Sequence, residues 1–191
     1  MISRRAAAVI GTTSVIAALL VAELSAGRVA QAETRALEIA LCGYAVSFPA
    51  TPRHFSVDHV DPFGRRGLLR GAEIEVGDSA LVRFDCFRPA DGSAAPAGRD
   101  ETVTRLFEYT RALGIFKQRY QYRSTGNRTS AVVTGERTVG SQAYVVRMEF
   151  HFQRGVTLGL IASHRAGNPR GASIVEQFVE SFRFNRVAAE N

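Results

Sequence analysis

One stretch of the chain alternates basic and aromatic side chains, a combination that can bind an anion. Residues 117–123 read KQRYQYR, and Arg119, Tyr120, Tyr122 and Arg123 are its candidate binding residues. Guanidinium groups attract an anionic polymer, and tyrosine rings offer faces on which a ligand can stack. The same alternation is equally typical of a half-buried strand, with the tyrosines on one face and the arginines on the other. The sequence leaves both interpretations open.

A second basic patch surrounds a glycine-rich turn, where Arg65, Arg66 and Arg70 lie close together. It could bind an anion or simply form a solvated surface. The net charge of the whole chain is +6, and Lys117 is the only lysine. This excess is weak support for a polyanionic partner. The partner we expect is an envelope protein or an anionic ligand, without specific nucleic-acid binding.

Glu149 and His151 form the most plausible pair for metal or acid–base chemistry. They lie two residues apart on one predicted strand and so share a face, and His164 ends the next strand. A carboxylate with imidazoles could ligate a transition metal. Two polar residues on one side of a strand are, however, more often a solvated face, and the same interpretation applies to Asp58 and Asp61. We therefore predict no metal site.

No recognised catalytic motif accompanies these residues. The chain has no G-x-S-x-G elbow, no Walker loop, no G-x-G-x-x-G and no H-E-x-x-H. We therefore predict no catalytic residue and no cofactor. An enzyme whose site assembles only in three dimensions, using Glu149, His151 and His164, is the alternative.

The first 32 residues have the pattern of a secretory signal peptide. Arg4 and Arg5 precede an uncharged apolar stretch, and Ala30-Gln31-Ala32 fits the small-x-small cleavage rule. We expect cleavage before Glu33, one globular domain over residues 33–191, and a periplasmic or secreted location. A retained anchor is the alternative, but residues 6–22 fall short of the roughly 20 needed to span a bilayer.

Cys42 and Cys86 both lie in the part expected to be exported. An even number of cysteines in an oxidising compartment predicts a disulfide, which requires α-carbons about 4.4 to 6.8 Å apart. A redox pair is the alternative, but there is no C-x-x-C motif. The bond would tie the first strands to the strand that ends near Phe87.

Hydrophobic periodicity predicts mostly strands, with two helices. The first helix is expected to begin with Asp100 as its N-cap, to bury Val103, Leu106, Phe107, Thr110 and Leu113, and to stop at Gly114. The second follows Asn168-Pro169 and buries Val175, Phe178, Val179 and Phe182. The predicted strands are Leu37–Leu41, Tyr44–Phe48, Phe55–Val60, Leu68–Val76, Leu81–Phe87, Arg119–Arg123, Ser130–Val133, Ala143–Phe152 and Val156–His164.

The order of these elements resembles exported proteins of the PsbP and Mog1-like superfamily. The segments that carry the resemblance are GYAVSFPATP, TVGSQAYVVRMEFHF, GVTLGLIASH and the closing VEQFVESFRF. The resemblance implies an α+β fold, a sandwich in which helices pack on the faces of an antiparallel sheet. Members serve as accessory or binding proteins in unrelated systems, so fold alone specifies no ligand. We expect an exported, non-catalytic accessory or binding protein of the cell envelope.

Overall fold

The structure, a computed structural model, describes residues 37–94, 98–125, 128–153 and 155–184. These residues form ten strands and two helices. In chain order the elements are β1 (Leu37–Leu41), β2 (Tyr44–Phe48), β3 (Arg53–Val60), β4 (Arg66–Val76), β5 (Ala80–Pro89), α1 (Arg99–Ala112), β6 (Ile115–Thr125), β7 (Arg128–Val139), β8 (Gln142–Gln153), β9 (Val156–Arg165), α2 (Pro169–Glu180) and β10 (Arg183–Phe184).

Seven strands form one antiparallel sheet in the order β3-β4-β5-β9-β8-β7-β6. Neighbours in sequence are joined by hairpins except where α1 carries the chain from β5 to the far edge. The chain then returns strand by strand, and β9 closes the gap beside β5. A smaller sheet has the order β1-β2-β10. Every pairing in both sheets is antiparallel, which the hairpin connections allow.

The hairpin between β1 and β2 turns on Cys42 and Gly43. Both have positive φ, 53° and 80°, as the two central residues of a type I′ turn require. Cys42 is bonded to Cys86 on β5, with α-carbons 6.4 Å apart. The predicted disulfide is confirmed, and it attaches the small sheet to the large one.

Each face of the large sheet carries one helix, and we name the faces after them. On the α2 face, Val82, Phe84 and Leu160 belong to a core that α2 completes with Val175 and Phe178. Asn168 caps α2 by accepting a hydrogen bond from the Gly171 amide, and Pro169 is its first residue. The predicted start of α2 and its apolar side are confirmed.

On the α1 face, a second core surrounds Leu106 of α1. Leu106 is fully buried against side chains of β7 and β8, including Val133, Met148 and Phe150. The predicted burial of Phe107 and Leu113 is wrong, since they are 45% and 37% exposed. Thr110 is buried as predicted, and Thr102 is buried in addition. Their hydroxyls donate to the carbonyls of Leu106 and Gly98, which satisfies them away from water.

Two boundaries of α1 were also predicted. The N-cap is Gly98 and not Asp100, which lies in the first turn together with Glu101. Gly114 follows the helix with a φ of 75°, as predicted for its C-terminal stop.

The predicted fold class, an α+β PsbP/Mog1-like sandwich, is wrong. Strands dominate the described residues, while α1 and α2 span only 14 and 12 residues. The error came from strand length. Alternation predicted Arg119–Arg123 and Ser130–Val133, whereas β6 and β7 extend over 11 and 12 residues. The ends of β6 and β7 are exposed and carry polar residues. They show no apolar alternation, so the hydrophobic pattern did not predict that the strands continue there.

The predicted signal peptide, residues 1–32, lies outside the described residues. Within the part that the structure describes, no helix is long and apolar enough to cross a membrane.

Candidate functional site

The basic-aromatic segment lies on β6, the edge strand of the large sheet. Tyr120 and Tyr122 point to the α1 face and pack partly buried against its core. The hydroxyl of Tyr120 bonds to Thr110 on α1 and to Gln118. Arg119 and Arg123 are exposed on the opposite face. The four predicted binding residues therefore do not form one site. The tyrosine rings pack against the core on the α1 face, and the arginine side chains are on the opposite face.

The arginines of β6 join others from neighbouring strands. In the register of the sheet, Arg119 lies opposite Thr134, which lies opposite Arg147. Arg123 pairs with Ser130, two residues along β7 from Arg128. We call this open surface the arginine face: Arg119, Arg123, Arg128 and Arg147. It occupies β6 to β8 on the α2 face, beyond the core that α2 covers.

Strand geometry gives the arginine face regular spacings. Four residues of β6 separate Arg119 from Arg123, or about 13 Å along the strand. Two strand steps separate Arg119 from Arg147, or about 10 Å across the sheet. Arg119 and Arg123 have no hydrogen-bond or ion-pair partner among the described residues. Two cations without a described partner therefore lie on one solvent-exposed side of β6.

Glu149 and His151 border the arginine face, on the same side of β8. Arg147 donates to Glu149 Oε1 from Nε at 2.8 Å and from Nη2 at 2.5 Å. His151 Nε2 lies 3.6 Å from Glu149 Oε2, too far for a hydrogen bond, and its ring packs 4.6 Å from that of Phe182. Burial opposes ionisation of Glu149, but His151 and Arg147 outweigh it and lower its pKa. Glu149 thus neutralises Arg147 locally.

The histidines do not gather into a metal site. Across β9, Glu149 and His151 face Leu160 and Leu158, whereas His164 pairs with Val145. His164 is four residues from Leu160, or about 13 Å along the strand. No group of three or more potential metal-ligating side chains occurs in the described segments.

Two carboxylates on the α1 face, Asp61 and Asp85, are buried in contrast, which the sequence did not predict. Asp61 Oδ2 accepts hydrogen bonds from Arg65 Nε at 2.8 Å and from Arg65 Nη2 at 2.5 Å. Both side chains are at least nine-tenths buried. Arg65 also donates to Thr157 on β9 and lies 5.5 Å from the Phe63 ring centroid. The interpretation of Asp61 as a solvated residue is wrong, although Asp58 is exposed. Arg65 is therefore not part of an exposed basic patch, whereas Arg66 and Arg70, the other two residues of the predicted patch, are exposed.

A second ion pair lies beside the first, between the buried Asp85 and Arg83, whose side chain is 26% exposed. Asp85 accepts a hydrogen bond from Arg83 Nε at 2.8 Å. Burial raises the pKa of Asp85 to about 6, against the opposing effect of Arg83. Gly159 lies opposite Asp85 on β9, and a β-carbon there would come within 2.3 Å of Asp85 Oδ1. A side chain at position 159 would therefore force the Asp85 carboxylate to move.

The two pairs form a buried polar cluster: Asp61, Arg65, Arg83, Asp85 and Thr157. The cavity that touches Asp61, Arg83 and Asp85 measures only about 30 Å³, far below the roughly 300 Å³ at which ligand pockets begin. The cluster thus joins the β3–β4 connection to the sheet and leaves no room for a ligand. Its sequence signal was the lone carboxylate in Phe84-Asp85-Cys86-Phe87, since a charge inside an apolar run must be buried with a partner.

Comparison with known proteins adds little to this geometry. No family model and no curated protein matches the chain. A solved structure from Bacteroides thetaiotaomicron shares 11% identity over 76% of this chain, with a TM-score of 0.44. The match covers 46% of that protein, so this chain spans about half its length. Similarity at this level supports no argument about function, and the resemblance to PsbP and Mog1-like proteins stays a prediction.

Proposed function

We propose that this protein is an exported, non-catalytic binding protein that holds an anionic polymer on its arginine face. The observation that carries the proposal is the pair Arg119 and Arg123, exposed on one flat strand face without a partner among the described residues. A repeating anion can contact both guanidinium groups at once, since they project from the same side of β6. Each contact alone is weak in water, so a polymer gains more than a small anion does.

The separation of rings from arginines changes how such a ligand would be held. Tyr120 and Tyr122 pack towards the α1 core, so they are not the stacking platform that the sequence suggested. Affinity would come from charge and hydrogen bonds across an open sheet. Binding of this kind weakens steeply with salt, because the Debye length falls from about 10 Å at 0.1 M to about 3 Å at 1 M.

Export is supported by two independent features. One is the leader, with its arginines, apolar stretch and Ala30-Gln31-Ala32. The other is the Cys42–Cys86 disulfide, a bond that persists in oxidising compartments. An anionic polymer of the cell envelope would be within reach of a protein delivered there.

Among the described residues, those named for the enzyme alternative do not come together in one site. Glu149, His151 and His164 were its residues, and the sheet register holds His164 apart from the other two. The proposed function therefore assigns Glu149 a local role, keeping Arg147 in place at the border of the arginine face.

The test measures binding of polygalacturonate, a carboxylated polysaccharide, to the protein recovered from the periplasm or medium. That protein should begin at Glu33, and retention of Met1 would contradict the export part. The double variant Arg119→Gln/Arg123→Gln should weaken binding at low salt by at least about tenfold, since about 1.4 kcal/mol of lost contact corresponds to tenfold. Binding of the unaltered protein should disappear near 1 M salt.

The matched control is Arg99→Gln/Arg170→Gln, which removes the same charge from the exposed starts of the two helices. Neutral dextran serves as the uncharged ligand. Equal losses in the two double variants would mean that net charge alone attracts the polymer, and comparable binding of dextran would mean that charge is not used. Either result would overturn the proposed site.

A further inference from the structure

An apolar groove opens on the α1 face, on the opposite side of the sheet from the arginine face. Its volume is about 340 Å³, within the range of roughly 300 to 1,000 Å³ typical of small-molecule sites. Its floor is formed by Leu81 on β5, Ile161 on β9, and Val146 and Met148 on β8. α1 covers the neighbouring part of this face and ends beside the groove at Leu113.

The mouth of the groove keeps apolar surface in contact with solvent. Leu113 and Val139 line it and are 37% and 52% exposed. Val146 and Met148 beneath them are at least nine-tenths buried. The other two floor residues, Leu81 and Ile161, are half-buried. The groove therefore presents apolar surface from its floor to its rim, as expected where an apolar ligand would be partly enclosed.

The charges of the groove lie at its two ends. Arg137 lines it from β7, where the register places it opposite both Ile115 and Tyr144. Glu75 and Asp78 line it near the β4–β5 turn. β4 and β7 are four strand steps apart in the sheet, or about 19 Å.

Arg137 is the only basic side chain among the described residues that line the groove. It is exposed and has no ion-pair or hydrogen-bond partner among the described residues. At the other end Glu75 interacts electrostatically with Arg53, and Asp78 is exposed. The neighbouring Glu136 points to the opposite face and binds Lys117. An anionic group is therefore attracted to the β7 end.

We propose that the groove binds a small amphipathic carboxylate, such as a medium-chain fatty acid. Its chain would lie over Leu81, Ile161 and Met148, and its carboxylate would accept hydrogen bonds from Arg137. Tyr144, in register with Arg137, offers a further donor at the same end. This site goes beyond the proposed polymer binding, since it lies on the other face of the sheet and uses none of the arginine face.

The first test is calorimetric titration with octanoate and decanoate below their micelle concentrations. Each methylene buried in the groove adds up to about 0.8 kcal/mol, so decanoate should bind up to about fifteenfold more tightly than octanoate. The methyl resonances of Met148 and Ile161 should shift on binding. Equal affinity for the two acids, or resonance shifts confined to the arginine face, would refute the proposal that the groove is the binding site.

Variants test the polar end. Arg137→Gln should weaken the binding of decanoate by about tenfold or more and leave the binding of decanol unchanged. Arg170→Gln should change the affinity for neither ligand. Because Arg137 is exposed, its replacement should not disturb folding. Decyltrimethylammonium binding as tightly as decanoate would show that the acidic end selects the ligand and would refute the assignment to a carboxylate.

The two proposals fail separately. Arg119→Gln/Arg123→Gln should leave decanoate binding unchanged, and Arg137→Gln should leave polygalacturonate binding unchanged. Loss of decanoate binding in the arginine-face variant would overturn the groove even if the polymer site stood.

Discussion

The two faces of the large sheet are built from the same strands but bury different chemistry. On β5, Val82, Phe84 and Cys86 point into the core under α2, which consists almost entirely of apolar side chains and the disulfide. The alternate residues Arg83 and Asp85 point to the α1 face, where they join the buried polar cluster. Alternation along a strand therefore determines which residues share a face, while the covering layer determines whether that face is apolar.

On the strands at the other end of the sheet, the two faces exchange these properties. On β7 and β8 the α1 face is apolar, with Val133, Met148 and Phe150 in its core, and the α2 face carries Thr134 and Arg147. α2 and the small sheet contact mainly β4, β5 and β9. They reach β8 where Phe182 packs against His151 and Gln153 donates to the Tyr44 hydroxyl. At Arg147 the arginine face borders α2, whose Glu176 and Glu180 line a cavity together with Thr134 and Arg147. On the other side of the sheet, the groove is open because α1 ends beside it.

The largest expected effect is on the core under α2. Phe178 is 1% exposed and meets Phe48 edge-on at 5.2 Å. Phe178→Ala should lower the free energy of unfolding by about 3 to 5 kcal/mol, through lost burial and the cavity left behind. Denaturant titration would measure it, with Phe107→Ala on the exposed side of α1 as control. Equal losses in the two variants would mean that burial does not distinguish the helices.

The disulfide should have the next largest effect. It closes a loop across 44 residues of sequence separation, and the chain-entropy model assigns such a loop up to about 4 kcal/mol. Reduction should lower the melting temperature and increase hydrogen exchange in β1 and β2, while amides of β7 and β8 stay protected. An equal increase in exchange throughout the sheet would show that the bond does not act locally.

The smallest of the three effects belongs to Asp85, on the α1 face. Its pKa rises from 3.8 to about 6 because the folded protein disfavours the buried carboxylate. The fold is thus relatively more stable with Asp85 protonated, and this contribution is complete below about pH 4 and is lost as the pH rises through 6. The loss can reach about 3 kcal/mol.

Asp85→Asn removes this titration while keeping the shape of the side chain. Unfolding free energies measured from pH 4 to 7 should therefore fall more steeply in the unaltered protein than in the variant. Glu149 has a lowered pKa, so its contribution has the opposite sign and is present in both proteins. Parallel pH profiles would show that Asp85 titrates normally.

Much of the secondary structure could be predicted because its determinants are local. The first two strands were predicted with their observed bounds, since turn and alternation lie within a dozen residues of each other. The cap of α2 and its buried side are likewise encoded by Asn168-Pro169 and a helical repeat. The disulfide was predicted from the presence of only two cysteines in a chain with a predicted export signal.

Charge burial and the location of the candidate sites could not be predicted in this way. The sequence pattern predicted Asp61 to be a surface residue. In the structure it is buried with Arg65, which also bonds to Thr157, 92 residues away in sequence. Arg119 and Arg147 share a surface only because β6, β7 and β8 pair in one register. The local pattern limits the face that each side chain can occupy, but contacts between distant strands decide whether a charge on that face is paired, buried or left open to a ligand.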